Sequence, residues 1–244
     1  MNGLSLVPRK RLAGCVLLIL LVGLTMLAPV SAETIAIIGT GQVASALGPR
    51  FAELDYEIVY GSRSPSRDEV RQLLARTGHG ASATTPREAA AMADIVVLAV
   101  PGTAIEMVTK SIGDLSGKII IDPTNALRRG DDGLFELGVE TSNAELIQGW
   151  APNAYVVKAF NTLNWRTMLD PESAGGPVSI PLVGDSAEAK AVVATLVEGI
   201  GLEPIDLGPV RYAHFVEGML ILWINNRYVR REPFEFHLRK VQAK

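Results

Sequence analysis

Gly39, Gly41 and Ala44 form a G-x-G-x-x-A turn, and Gly61-Ser62-Arg63 follows it at roughly the twenty-residue interval where dinucleotide sites select their ribose. In such a turn the first glycine permits a tight reversal and the second lets the backbone approach a pyrophosphate. The third small residue keeps a helix close to its strand. Thr40, Gly41, Gln42 and Val43 then open a helix whose free N–H groups and positive dipole end face the anion. The strand that follows does not end in the Asp or Glu that would hold a ribose 2′-hydroxyl. It ends in Ser62, a donor, and Arg63, a charged fork, with Arg67 one turn further on. No carboxylate stands there to repel a 2′-phosphate, so these residue types favour NADP over NAD. The bland alternatives are a glycine turn in an unrelated α/β protein and a solvated basic loop opening a surface helix.

Such residues act only if strands and helices hold them in register. Thr34 to Ile38 are too few and too β-branched for a helix and read as a buried parallel strand. Glu57 to Tyr60 read as the second strand, Ser66 to Arg76 as an amphipathic helix, and Ala81 to Thr85 as a short strand. Pro86 opens a helix. Asp94–Val100, Lys118–Asp122 and Tyr155–Phe160 are near-continuous apolar strands. They stop at Pro101-Gly102-Thr103, Thr124-Asn125 and Asn161-Thr162. The alternation predicts an α/β fold, a Rossmann-like doubly wound parallel sheet with helices on both faces. Open sheets of this kind bind ligands beyond the carboxyl ends of their strands, so all five strand ends face one crevice. Asn125, Asn161 and Thr162 are there either as caps and turn formers or as ligand contacts, and Pro101 shapes the loop beside the cofactor. After residue 176 a C-terminal strand-helix extension follows, with strands at 177–183 and 202–207 and a helix at 187–200. One long apolar helix spans 211–231 and packs on the sheet or on a second subunit of a homodimer. His214, Glu217 and Trp223 on that helix either reach the active crevice or, the favoured reading, are ordinary packing and surface residues.

Composition narrows the function. The chain has 244 residues, 48% hydrophobic and 20% charged, with a net charge of −3. That suits a full globular core and argues against nucleic acid as a general partner. One cysteine, Cys15, excludes an internal disulfide, and three scattered histidines (His79, His214, His237) argue against a metal site. Residues 1–32 stand apart. Arg9-Lys10-Arg11 precede an apolar run from Ala13 to Val30, and Val30-Ser31-Ala32 has the small residues of a cleavage site. Three readings follow: a cleaved signal peptide for export, an uncleaved membrane anchor long enough to span a bilayer, or a cytoplasmic protein starting at Met26. The domain boundaries expected are 1–32 for the leader, 33–231 for the NADP-binding domain with its C-terminal helix, and 232–244 for a tail.

Several stretches together — I-I-G-T-G-Q-V-A, V-Y-G-S-R, A-D-I-V-V-L-A-V-P, I-I-I-D-P-T-N, V-V-K-A-F-N-T-L and V-G-D-S-A-E-A-K — resemble the deazaflavin (coenzyme F-420)-dependent NADP oxidoreductases and the related STEAP-type reductase domain. The resemblance runs from Thr34 to about Asn226. It implies NADP along the first half of the sheet, with Gly39, Thr40, Gly41, Gln42 and Val43 at the pyrophosphate and Ser62, Arg63 and Arg67 at the 2′-phosphate. It places Pro101 and Asn125 along the cofactor, and Asn161 and Thr162 beside the nicotinamide and a flavin or deazaflavin acceptor. Deazaflavin-using members carry a histidine where this chain has Asn161, so the acceptor stays open between the two. The expected activity is hydride transfer between NADP and a small-molecule redox acceptor. A non-catalytic NADP-binding redox sensor and a reductase of small imines or carbonyls are the rivals.

Overall fold

The computed structural model describes residues 33–241. The leader, anchor and Met26-start expectations lie outside the described residues. In chain order the elements are β1 (Thr34–Ile38), α1 (Gln42–Ala52), β2 (Glu57–Gly61), α2 (Asp68–Thr77), β3 (Ser82–Thr84), α3 (Pro86–Met92), β4 (Ile95–Val97), α4 (Ile105–Ser111) and β5 (Ile119–Asp122). They continue with β6 (Leu127–Arg129), β7 (Phe135–Leu137), α5 (Asn143–Trp150), β8 (Tyr155–Lys158), α6 (Trp165–Leu169), β9 (Ser179–Leu182), α7 (Ala187–Gly199), β10 (Glu203–Asp206) and α8 (Ala213–Ile224).

Six strands form a parallel sheet in the order β3-β2-β1-β4-β5-β8, so the order reverses between β1 and β4. Its strands are apolar on both faces because helices cover both. Alternation along β1 shows the two layers. Ile35 and Ile37 join Leu47, Phe51, Leu73 and Leu196 on one side. Ala36 and Ile38 join Ala89, Ala90, Ile147 and Val216 on the other. Gly48 is fixed by packing, since a Cβ there would stand 1.8 Å from the Tyr60 hydroxyl. That hydroxyl, buried and 2.7 Å from Thr77 Oγ1, has its pKa pushed up to about 12, chiefly by burial.

The C-terminal extension joins the same body. β9 and β10 pair in parallel across α7, and β9 meets the sheet edge through an antiparallel bridge between Lys158 and Val183. Residues after 231 bond to β9: Ser179 N–H donates to the Leu238 carbonyl (2.8 Å), and Lys240 N–H to Ser179 Oγ (2.7 Å).

Several boundaries differ from expectation, and three of the differences have a visible cause. The helix expected from Ser66 starts at Asp68, because Arg67 is extended at φ −63°, ψ 152°. The strand expected over 94–100 pairs only over Ile95–Val97. Beyond it the chain curls, Ala99 N–H bonding the Val97 carbonyl and Val100 N–H that of Leu98. The helix expected over 211–231 changes type along its length. A 3-10 turn (Val210–Tyr212) leads into α8, a π-helical turn (Asn225–Arg230) follows, and Arg231 ends it at φ 58°. The β6–β7 hairpin was not expected. Asn225 links the two features, since its side chain accepts from Phe135 N–H (2.7 Å) and donates to the Phe135 carbonyl (2.8 Å).

Candidate nucleotide-binding crevice

At the point where the strand order reverses, the ends of β1, β2 and β4 and the first turns of α4 enclose a cleft of about 730 Å3. Gly39 builds its floor. It sits at φ +116°, its N–H donates to the Gly61 carbonyl (2.9 Å), and a Cβ would lie 2.2 Å from the Ala99 carbonyl oxygen. Gly41 differs. Its φ of −84° suits any residue, and no atom lies within 4 Å of where its Cβ would stand. Neither backbone nor neighbours require glycine there; a bound group passing close to the backbone would. Helix α1 begins at this point with no side-chain cap, whereas Thr85, Ser142 and Ser186 cap α3, α5 and α7. α2, α4 and α8 also lack such caps, but α1 is the one that begins at Gly41 in the cleft lining, where its first N–H groups can meet an anion.

The β2 end supplies charge. Arg63 and Arg67 line the cleft and no Asp or Glu does. Among the described residues Arg63 has no carboxylate within 4.0 Å, while Arg67 Nε lies 3.9 Å from Glu69 on exposed surface. Ser62 is buried, and its Oγ accepts from Ser64 N–H (3.2 Å), which leaves its own proton free to donate. Val100, Pro101, Met107 and Val108 form an apolar wall.

Gly39, Thr40, Gly41, Ser62, Arg63, Arg67 and Pro101 thus meet around one cleft. Gln42 and Val43 stand in the first turn of α1 but do not line it. Asn125, Asn161 and Thr162 also lie outside its lining, at the ends of β5 and β8. There Asn161 Nδ2 donates to Asn125 Oδ1 (3.0 Å) and to the Val216 carbonyl (3.1 Å). Asn125 Nδ2 donates to the Asn161 carbonyl (3.3 Å). Asn161 follows Phe160, a buried residue held at φ 65°, and its own Oδ1 is buried without a partner.

Glu217 neither lines the cleft nor lies at the surface, the two positions expected of it. It is fully buried, with its Oε1 2.6 Å from Lys158 Nζ. Lys158 also meets Asp122 at 2.7 Å. Burial holds the Glu217 carboxyl above the usual carboxylate range; the Lys158 ammonium opposes that shift and the Asp122 charge adds to it. Sequence reasoning raised Glu217 only as one of two alternatives and passed over Asp122 and Lys158 as site residues. The available signal was an Asp and a Lys inside otherwise apolar strands, I-I-I-D and V-V-K-A, where an unpaired charge is costly. His214 and Trp223 do behave as expected: His214 Nδ1 meets the Thr141 carbonyl (2.7 Å), and Trp223 stacks edge-on against Tyr228 at 5.5 Å. No group of three potential metal ligands occurs among the described residues, and no described helix is long and apolar enough to cross a membrane.

A doubly wound sheet with a glycine-floored, acid-free cleft at its switch point defines a dinucleotide-binding protein. Comparison with known proteins gives the family. Residues 34–126 match the family described as NADP oxidoreductase coenzyme F420-dependent. The F420-dependent NADP reductase of Methanothermobacter thermautotrophicus is 30% identical over 210 residues, 78% of this chain and 88% of that protein. A solved structure from Arthrobacter sp. FB24, assigned as an F420-dependent NADP-reductase, is 33% identical with a TM-score of 0.77. The match covers 86% of this chain and all of that one. The rat metalloreductase STEAP3 is 29% identical over 193 residues, which are 78% of this chain but only 37% of that protein. The chain therefore spans about a third of the length of the STEAP relatives it matches. It belongs to the coenzyme F420-dependent NADP oxidoreductase family.

Proposed function

We propose that the protein binds NADPH in this cleft and passes its hydride to a flavin- or deazaflavin-like acceptor. The carrying observation is the β2 end, where Ser62, Arg63 and Arg67 meet a cleft with no acid in its lining. The lining residues fit the phosphate and adenine portions of the cofactor. The uncapped α1 and the open space at Gly41 suit a pyrophosphate, Ser62 and the arginines a 2′-phosphate, and the Met107–Pro101 wall an adenine. Bound NADPH supplies the hydride. The protein supplies position, which hydride transfer chiefly needs, so no acid–base dyad is required of it. The acceptor would lie beyond Asn161 and Thr162.

Fluorescence titration with NADPH and NADH tests the nucleotide. The parent should prefer NADPH. Arg63→Glu should weaken NADPH roughly 10- to 100-fold, the worth of one charge-assisted hydrogen bond, and leave NADH nearly unchanged. Equal affinities in the parent, or the same preference in the variant, would sink the proposal.

The rival is a nucleotide sensor without turnover, favoured by the basic and apolar N-terminal run that points to export or anchoring. Tight NADPH binding with no reduction of FMN, a deazaflavin or a ferric chelate would support it. N-terminal sequencing of protein from its native host tests the leader. Exposed Phe215 and Leu222, seven residues apart on α8, support the homodimer, which sedimentation of the parent and Phe215→Glu would check.

A further inference from the structure

Beneath the Asn125–Asn161 pair lies a charge cluster closed off from solvent. Lys158, Asp122 and Glu217 are all 0% exposed. The Lys158 ammonium donates to Asp122 Oδ2 (2.7 Å) and the Thr124 carbonyl (2.5 Å), and forms an ion pair with Glu217 Oε1 (2.6 Å). Asp122 Oδ1 accepts from Thr124 N–H (2.8 Å) and its hydroxyl (2.7 Å). Glu217 accepts from Ala126 N–H and from Asn143 N–H, each at 2.9 Å.

These partners have a pattern. The N–H and carbonyl of Thr124 are pinned on one side of Asn125, and the N–H of Ala126 on the other. Only the Asn125 side chain is left to turn toward Asn161. Asn161 in turn donates to the Val216 carbonyl, the residue before Glu217, so one helix holds Asn161 directly and Asn125 through its neighbour Ala126. Two carboxylates and one ammonium are a costly thing to bury, and well-packed apolar residues are often as stable. A cluster kept at that cost needs a geometric return, and the fixed amide pair is the one the structure offers.

We infer that Lys158, Asp122 and Glu217 are positioning residues that hold the Asn125–Asn161 pair at the ends of β5 and β8, the side of the crevice that the proposed function gives to the nicotinamide. The inference rests on the nucleotide reading above. Glu217→Gln is the direct test, in full-length protein with 15N-labelled asparagine. If the amide oxygen stays with Lys158 and Asn143, its NH2 faces the Ala126 N–H and that donor loses its acceptor. Hydrogen exchange at Ala126 should then rise at least about tenfold, and the side-chain amide signals of Asn125 and Asn161 should lose their protection. The NADPH affinity, set at the far end of the cleft, should stay within about twofold, while the emission of the bound reduced nicotinamide falls toward that of free NADPH. Asn125→Ala should reproduce the emission change without the exchange change at Ala126. Unaltered asparagine signals and unaltered emission in Glu217→Gln would overturn the inference. If Glu217→Gln does not fold, Asp122→Asn carries the same expectation at Thr124, and failure of both to fold would also overturn it by making the cluster a requirement of the fold. If the parent binds no NADPH, the nucleotide reading fails, and the asparagine signals alone then decide the positioning role.

Discussion

Gly41→Val is expected to fold like the parent and to bind NADPH at least about a hundredfold more weakly, which is the loss of roughly two charge-assisted hydrogen bonds. Its backbone, at φ −84° and ψ −162°, is open to any residue, and no atom stands within 4 Å of the new Cβ. The stability cost should therefore stay near the roughly 1 kcal/mol of an unfavourable helix N-cap. The branched side chain would instead fill the space that the α1 N–H groups face. Gly39→Ala should fail in the opposite way. At φ +116°, with a Cβ only 2.2 Å from the Ala99 carbonyl oxygen, it should lose about 2–5 kcal/mol from backbone strain and overpacking. Urea unfolding and fluorescence titration of both variants separate the two roles. Tight NADPH binding by Gly41→Val would mean that no pyrophosphate passes there.

That contrast shows what was legible from the residues and why. The phosphate end was readable because its parts are contiguous. A five-residue strand, a glycine turn and a helix start follow one another, and Ser62 and Arg63 end the next strand in the sheet. Their types state their chemistry, and the parallel pairing of β1 with β2 brings them together without help from distant sequence. The far end was not readable in the same way. Asp122 and Lys158 are 36 residues apart, and Glu217 arrives from a helix beyond the sheet. A lysine inside V-V-K-A hints at burial, but nothing local names the partners that would neutralise it. The helix after residue 210 was legible as helix from its apolar run. Its π-helical turn was not, because it accompanies bonds from Asn225 to a hairpin 90 residues earlier. Contacts of that span are set by tertiary packing, which overrides local propensity.

Lys158→Met should be the most destabilising change in the described core, by about 3–5 kcal/mol at neutral pH. Methionine fits the volume, so a cavity is not the cause. The cause is charge: Asp122 and Glu217 would face each other fully buried with no cation between them. One of them must then take up a proton or the cluster must open, and Glu217 is the better placed, since burial already raises its pKa above 4.5. The sign follows. A carboxyl whose folded pKa exceeds its unfolded value binds its proton more tightly in the folded state, so it costs stability above the folded pKa. That cost fades as pH falls through the raised value toward 4.5, by up to about 1.4 kcal/mol per pH unit for one proton. Urea unfolding of parent and variant at pH 8 and pH 5 should therefore show the gap between them narrowing at the lower pH. Double replacement with Glu217→Gln should recover part of the loss at pH 8, because it removes one of the two stranded charges. A gap independent of pH would place the loss in packing, and would show that the two carboxylates never depended on Lys158.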